Sequence, residues 1–289
     1  MALTEEHIAK VREAVIHAGG HVQDHVWLEQ GEAADLHISY ITEASLTKTV
    51  HEALLDLPVD AICQPEETRR KAMFISDMDS TIITIECIDE LADVAGIKPQ
   101  VADITERAMR GELDFEAALK ERVGLLKGLP EGALAEVYES RLTFMPGAAE
   151  LVGTMRANGA HCVLVSGGFE FFTSRVAGEL GFHEQRGNRL GVLDGLLTGE
   201  VVPPILDKNA KLEALMEIAS SRNLTLANTL AAGDGANDLP MLMASGLGVA
   251  YHAKPAVRAA AKAQINHTNL FALLFAQGYR RTEFKNFAS

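Results

Sequence analysis

Residues 74–81 read FISDMDST, and this segment is the most informative one for the fold. Its first residues belong to a short apolar segment, 72–76, which predicts a buried strand. Asp77 and Asp79 follow it, two positions apart. The repulsion between two carboxylates this close raises the pKa of one of them unless a cation lies between them. Mg²⁺ prefers oxygen ligands of this kind. The stretch is therefore typical of a strand that ends in a metal-binding loop, with two solvated loop aspartates as the alternative.

Three further apolar segments repeat this pattern of a short strand followed by a loop and a helix. They are residues 161–166, 229–232 and 247–251. Such an alternation predicts an α/β fold with a doubly wound parallel sheet. Ligands of these sheets lie beyond the carboxyl ends of the strands. We therefore expect the functional residues in the loops that follow the segments.

The loop after residues 161–166 is suited to an anion. Ser166, Gly167 and Gly168 bring a hydroxyl and backbone N–H groups to a predicted helix start, where anions are commonly held. Small residues at such a point more often form only a tight turn from strand to helix. Both interpretations remain open on these residues alone.

The loop after residues 229–232 carries more polar groups. Residues 233–240 read GDGANDLP, so that Asp234, Asn237 and Asp238 are side chains of metal-ligand type among glycines. A turn with only a structural role does not need this combination. We therefore favour a metal-binding interpretation of this loop over a structural turn.

The length of the chain between Asp77 and Ser166 predicts an insertion. It is roughly three times the ~30 residues of a plain crossover unit, and the excess holds several helical patterns. We interpret residues 86–143, approximately, as a helical cap over the site. The cap lies within a larger domain predicted at residues 71–289.

Residues 1–70 predict a separate small α/β domain. Helical spacing follows Thr4, and strand-like stretches occupy 21–28 and 35–41. A second amphipathic helix is expected over 46–57, and a third strand over 59–63. A polar run then leads into the larger domain.

The composition narrows the classes of function. Hydrophobic residues make up 47% of the 289 residues and charged residues 23%, a globular balance. A net charge of −14 argues against nucleic-acid binding, because phosphate backbones are held by dense Lys and Arg. No apolar run approaches the ~18 residues that cross a bilayer, and no signal peptide is visible at the N-terminus. Three scattered cysteines support neither a disulfide framework nor a zinc site. We expect a cytoplasmic protein without membrane or nucleic-acid partners.

Taken together and in order, these motifs resemble the haloacid dehalogenase superfamily. The resemblance extends from about Ala72 to the C-terminus. The spacing of Glu86, Met109, Phe115 and Arg122 resembles the phosphoserine phosphatase branch. The first 70 residues are distantly similar to ACT regulatory domains, although these normally open with a strand and none is visible before the first helix.

The resemblance implies a mechanism. It assigns Asp77 as the nucleophile that forms an aspartyl-phosphate, and Asp79 as general acid and then general base. It selects Lys211, in the run NAKL, over Lys208 as the catalytic lysine. Mg²⁺ is held, by this resemblance, by the Asp77 carboxylate, the Asp79 main-chain carbonyl and Asp234. Asp238 is expected to orient Lys211, and the phosphate is expected to contact Ser166, the Gly167 amide, Lys211 and Asn237.

The resemblance also places substrate recognition in the cap. Arg122 is suited to a two-point grip on the phosphoserine carboxylate, and Glu86 to its ammonium group. Met109 and Phe115 are expected to form an apolar lid. The structural alternatives are an ion pair between Glu86 and Arg122 and a core position for Phe115.

The implied activity is the hydrolysis of O-phospho-L-serine, the last step of serine biosynthesis. One alternative is a phosphotransferase that passes the phosphoryl group to homoserine, and another is a general phosphatase of small metabolites. A phospho-accepting receiver domain fits poorly, because it needs neither a cap nor an aspartate at the position of Asp79. A homodimer through the N-terminal domain is a further expectation.

Overall fold

The computed structural model describes residues 2–109 and 112–287. The strands are β1 (His21–Glu29), β2 (Ala33–Ser39), β3 (Met73–Ser76), β4 (His161–Phe169), β5 (Glu184–Leu193), β6 (Leu196–Val202), β7 (Thr229–Gly233), β8 (Leu247–Tyr251) and β9 (Ala263–Ile265). The helices are α1 (Glu5–His17), α2 (Glu43–Leu54), α3 (Cys87–Val94), α4 (Lys98–Met109), α5 (Phe115–Leu125), α6 (Gly132–Arg141), α7 (Ala148–Ala157), α8 (Glu170–Leu180), α9 (Lys208–Ser221), α10 (Leu239–Ala244), α11 (Pro255–Ala260) and α12 (Phe271–Ala276), with short 3-10 turns at Leu226–Asn228 and Arg281–Glu283.

The main sheet has seven strands in the order β6-β5-β4-β3-β7-β8-β9. Every neighbouring pair is parallel except β5 and β6, which pair antiparallel. The predicted α/β class with a doubly wound sheet is confirmed, and all four predicted strands of this sheet are present. The hairpin of β5 and β6 and the edge strand β9 were not predicted.

The alternation of side chains along the strands explains why helices cover both faces. On β3, Phe74 belongs to the apolar cluster on one face, whereas Met73 and Ile75 belong to the cluster on the other. Successive side chains of a strand point to opposite faces, and both faces are apolar here. A strand buried on both sides is typical of a parallel sheet between two layers of helices.

Four helices, α3 to α6, occupy the stretch predicted as a cap. An antiparallel bridge between Ile83 and Phe144 closes the base of this insertion, and Thr84 N donates to Thr143 O at 3.0 Å. The β5–β6 hairpin contacts the inserted segment from the side, since Gly128 N donates to Leu197 O at 2.8 Å. The hairpin therefore ties the inserted helices to the edge of the main sheet.

The N-terminal residues form an αββα unit in which β1 and β2 pair antiparallel. Its small core contains Val15, Val22, Val50 and Leu54. The strand predicted over residues 59–63 is wrong. Val59 and Cys63 instead pack partly buried against that core, while Ile62 packs against the core of the larger part and Ala61 is exposed. The sheet that this segment would join stays two-stranded.

The segment between the N-terminal unit and the larger part of the chain makes hydrogen bonds to the larger part. The carboxylate of Asp60 accepts from the backbone N–H groups of Asn266, His267 and Thr268 at 2.8, 3.1 and 2.9 Å. The domain boundary near residue 70 stays a prediction. None of the described helices is both long and apolar enough to cross a membrane.

Candidate active site

Asp77 directly follows β3, the central strand of the sheet. Its backbone N–H extends the ladder by donating to Ala232 O at 3.0 Å. One carboxylate oxygen accepts from Met78 N at 2.8 Å, and the other lies 2.8 Å from Lys211 Nζ. The residue is only 6% exposed. The Asp77 carboxylate is thus held in one orientation at the carboxyl end of the sheet.

Lys211 lies in the first turn of α9, which Asp207 caps by accepting from Asn209 N at 2.8 Å. The lysine is buried, and Nζ lies 2.6 Å from Asp238 Oδ1 as well as next to Asp77. Burial by itself would lower the pKa of Lys211, but Asp238 and then Asp77 raise it above its ordinary value. The ammonium stays charged between two carboxylates, and Asp238 orients it as expected.

Asp77, Asp234 and Asp238 form an acidic cluster whose oxygens lie within 4.8 Å of one another. Burial and then the charge of Asp77 raise the pKa of Asp234 to about 6, as expected where carboxylates are close together. Thr81 Oγ1 donates to Asp234 Oδ1 at 3.3 Å. An all-oxygen set of this kind fits a hard divalent cation.

Gly233, the last residue of β7, permits the acidic side chains to come this close. A Cβ atom at Gly233 would collide with the carboxylate of Asp238. The fold thus brings together the predicted ligands Asp77 and Asp234, and adds Asp238 to them. The structure identifies no ion.

The Asp79 carboxylate makes hydrogen bonds to the start of α3 and to the loop after β4. Oδ1 accepts from Cys87 N, the first residue of α3, at 2.8 Å, and Oδ2 accepts from Ser166 Oγ at 3.2 Å. Burial, and to a smaller extent the charge of Asp77, raise the pKa of Asp79 above its ordinary value. The Asp79 side chain is therefore easier to protonate than an ordinary aspartate.

The loop after β4 packs closely around this carboxylate. A Cβ atom at Gly168 would stand 2.6 Å from Asp79 Oδ2, so only glycine fits there. Gly168 N donates to Ser166 Oγ at 2.8 Å. The strand extends to Phe169 before α8 begins, somewhat beyond the predicted end. Ser166 and the Gly167 peptide lie beside both Asp79 and the cap.

Phe115, the first residue of α5, closes the cleft from the cap side. A Cβ atom at Gly167 would meet the Phe115 ring at 2.8 Å, so the ring lies directly against the loop after β4. Met109 ends α4, but its side chain lies outside the described residues. Of the two residues of the expected lid, Phe115 is therefore seen against residues 166–168, which we call the phosphate loop because it is the loop expected to contact phosphate.

Arg122 and Glu86 do not pair with each other. Arg122 is half-buried and donates Nε–H to Ala118 O at 3.2 Å, and within the described ranges it has no carboxylate within 4.0 Å. Burial lowers the pKa of Arg122, whereas the acidic groups of Asp89 and Glu86 act in the opposite direction. The ion-pair alternative for these two cap residues is thus not what the structure has.

Glu86 is held by a neighbour that the sequence analysis did not single out. Ser80 Oγ donates to Glu86 Oε1 at 2.6 Å, from a backbone with φ of +54° that serine rarely adopts. The surrounding protein and then the charge of Asp79 raise the pKa of Glu86, although the residue is exposed to solvent. The Asn237 side chain has no hydrogen bond to the described part of the chain.

Asn188 is the second residue that the sequence analysis missed. It lies on β5, is 0% exposed, and donates to the Gly167 carbonyl at 2.8 Å. An asparagine inside a strand-forming run is a signal that was available, since buried amides need partners. The hairpin itself had not been predicted, so the residue had no place in the expected sheet.

Comparison with known proteins gives consistent matches. A family model described as haloacid dehalogenase-like hydrolase matches residues 74–243. A protein of Polaromonas sp. named phosphoserine phosphatase is 50% identical over 203 residues, which is 68% of this chain and 86% of that protein. The crystal structure of a probable phosphoserine phosphatase from Vibrio cholerae, unliganded, has a TM-score of 0.79 at 34% identity and covers 97% of this chain and 85% of its own. A phospho-aspartyl intermediate analogue of phosphoserine phosphatase has a TM-score of 0.67 at 39% identity, over 71% of this chain and 98% of that one.

Proposed function

This chain belongs to the haloacid dehalogenase-like hydrolase family, and from that premise we propose that it hydrolyses O-phospho-L-serine to L-serine and phosphate. The observation that carries the proposal is the buried Asp77 carboxylate at 2.8 Å from Lys211 Nζ, with Asp79 bonded to Ser166 beside it. The relatives named phosphoserine phosphatase support the choice of substrate.

Asp77 is the nucleophile in this proposal. Its oxygen attacks phosphorus, the bond from phosphorus to the serine oxygen breaks, and an aspartyl-phosphate forms. The attack of a carboxylate on a phosphate dianion is opposed by charge. Lys211 offsets part of that charge at the point of attack, in a buried setting where electrostatic interactions are strong.

A divalent cation fits the same place. The Asp77 and Asp234 carboxylates and the Asp79 main-chain carbonyl would hold it, with Asp238 adjoining, and we propose Mg²⁺. When bound, the ion supplies positive charge to the phosphoryl oxygens. The acidic cluster and the raised pKa of Asp234 support this assignment.

Asp79 is the proton donor to the departing serine oxygen, and then the base that takes a proton from the attacking water. Its raised pKa supports the first role. The N–H of Cys87 fixes one carboxylate oxygen, which leaves the other, beside Ser166, for proton transfer. Ser166, the Gly167 amide and Asn237 are proposed to hold the phosphate oxygens.

The cap residues are proposed to recognise the serine part. The Arg122 guanidinium, without a carboxylate partner in the described chain, would grip the substrate carboxylate at two points. Glu86, fixed by Ser80, would bind the ammonium group. Phe115, and by the sequence pattern Met109, would exclude water above the phosphate loop.

The test is the release of phosphate from phosphoserine, phosphothreonine, phosphoethanolamine and sugar phosphates. We expect the highest kcat/KM with phosphoserine, no activity in chelator, and recovery with Mg²⁺ but poor recovery with Ca²⁺, which prefers longer bonds and more ligands. A flat profile across the panel would favour a general phosphatase. Formation of phosphohomoserine when homoserine is added would favour the phosphotransferase.

We also propose a cytoplasmic homodimer that pairs through the N-terminal unit. Its support is two exposed apolar side chains on that unit, Val26 on β1 at 39% and Tyr40 just after β2 at 87%, and a two-stranded sheet that is marginal by itself. Light scattering of the full chain measures the mass, and Val26→Lys should shift a dimer towards the monomer. A monomeric parent protein would refute this part alone.

A further inference from the structure

Asn188 uses every hydrogen-bonding group of its amide within the fold. Nδ2 donates to Gly167 O at 2.8 Å and to Leu206 O at 3.3 Å, and Oδ1 accepts from Leu206 N at 2.8 Å. The side chain is 0% exposed. A buried amide with all its groups paired holds its neighbours in one arrangement, because each lost bond would leave a buried polar group unpaired.

One side of this arrangement is the phosphate loop. The peptide between Gly167 and Gly168 is bonded at both ends, since its carbonyl accepts from Asn188 and its N–H donates to Ser166 Oγ at 2.8 Å. With that N–H directed at its oxygen, Ser166 must give its own proton to another acceptor. The acceptor in the structure is Asp79 Oδ2 at 3.2 Å. The orientation of one peptide thus decides the donor role of the serine.

The other group of hydrogen bonds made by Asn188 holds the segment that leads into α9, the helix that carries Lys211. Leu206, bonded twice to Asn188, immediately precedes Asp207, the residue that caps α9. Lys211 lies in the first turn of that helix. Asn188 therefore joins the phosphate loop, through Gly167, to the segment that precedes α9 and Lys211, and it makes no hydrogen bond to Lys211 itself.

We infer that Asn188 is a positioning residue for phosphate binding. It fixes the position of the Gly167–Gly168 peptide relative to the start of α9. The inference rests on the proposed function for the roles of Ser166 and Lys211. Because these two groups contact the phosphate and not the serine part, the effect of Asn188 should be the same for every phosphate ester. Cap residues should instead act selectively.

The test uses Asn188→Asp and Asn188→Ser in the full-length protein. The first keeps the size and the Oδ1 acceptor but removes both N–H donors, and the second is neutral. We expect the inhibition constant of orthophosphate to rise roughly 10- to 100-fold in both, as for the loss of groups that orient binding residues. The kcat/KM for phosphoserine and for p-nitrophenyl phosphate should fall together by a similar factor.

The matched control is Gln277→Glu, the same change from amide to acid at another 0% exposed side chain. Gln277 accepts from Lys71 N at 3.2 Å and donates to Leu273 O at 2.9 Å. It should lower Tm and leave the orthophosphate constant unchanged. Unchanged orthophosphate binding in folded Asn188→Ser, with only Tm reduced, would show a merely structural role and overturn the inference.

Two measurements keep the outcomes separate. If Asn188→Asp does not fold, Asn188→Ser decides by the same constant. If the parent protein hydrolyses p-nitrophenyl phosphate but not phosphoserine, the proposed function fails while the orthophosphate comparison still tests Asn188. If it hydrolyses neither, calorimetry of orthophosphate binding to parent and variant makes that comparison.

Discussion

The phosphoryl-transfer centre around Asp77 and the cap of helices α3 to α6 differ in how their charged side chains are paired. In the centre, Lys211 lies between Asp77 and Asp238 at 2.8 and 2.6 Å and is almost fully buried. In the cap, Arg122 is bonded to the Ala118 carbonyl alone among the contacts described for it. The charge of Lys211 is thus compensated by carboxylates of the protein itself, whereas the cap keeps a cation for which we propose the substrate carboxylate as the partner.

The difference separates chemistry from specificity. Groups that act on every phosphate ester are preorganised, because reorganisation during the reaction would cost rate. Groups that distinguish one ester from another increase selectivity if they have no partner in the free protein, because only the correct ligand then supplies that partner. Substitutions in the two regions should therefore differ in both stability and selectivity.

The largest effect is expected at the nucleophile. Asp77→Asn should lower kcat by at least about 10⁴-fold for every substrate, as removal of a nucleophile does in other enzymes. The change is isosteric, so the circular dichroism spectrum should stay close to that of the parent. Turnover equal to that of the parent would remove Asp77 from the mechanism.

The next effect concerns charge compensation in the centre. Lys211→Met leaves two buried carboxylates without their cation, which should cost about 3–5 kcal/mol of unfolding free energy and most of the activity. Urea unfolding in chelator measures it, and Mg²⁺ should recover part of the loss. Lys48→Met is the control, because that side chain is 78% exposed and should change stability by less than about 0.5 kcal/mol. Equal stability of the two variants would contradict the described pairing.

The cap should respond with selectivity and little loss of stability. Arg122→Ala should reduce kcat/KM for phosphoserine at least tenfold more than for phosphoethanolamine, which has no carboxylate, since losing one side of a buried charged pair costs ~2–5 kcal/mol. Unfolding free energy should change by less than about 1 kcal/mol. Arg122→Lys should recover only part of the loss, because an ammonium cannot make the planar two-point contact. An equal loss for both substrates would mean that Arg122 has a general role.

The smallest effect is expected at Glu86. Glu86→Gln should weaken both amine-bearing substrates several-fold and spare p-nitrophenyl phosphate, because only the amines meet this carboxylate. Steady-state kinetics with the three esters measures it. If the aryl phosphate lost as much rate as phosphoserine, Glu86 would belong with the centre and the contrast between the regions would weaken.

Much of the fold could be read from local patterns. Each core strand is a short apolar run before a loop of glycine and polar residues, and in a parallel sheet those loops meet at one edge. This is why Asp77, Ser166 and Asp234, far apart in sequence, could be expected in one site. The predicted strand over residues 59–63 failed because apolar residues pack as well in an extended linker as in a strand, and pairing depends on a free neighbouring edge.

Residue types and their spacing along the chain were enough to predict the α/β class and the inserted helices, and to single out the acidic residues of the loops. How side chains distant in sequence share charge and hydrogen bonds could be seen only in the folded chain. The tertiary structure placed Lys211 between two carboxylates, kept Arg122 apart from Glu86, and put Asn188 between the phosphate loop and Leu206. The physical reason is that a hydrogen bond or ion pair depends on distances of a few tenths of an ångström, and only the packed fold sets them.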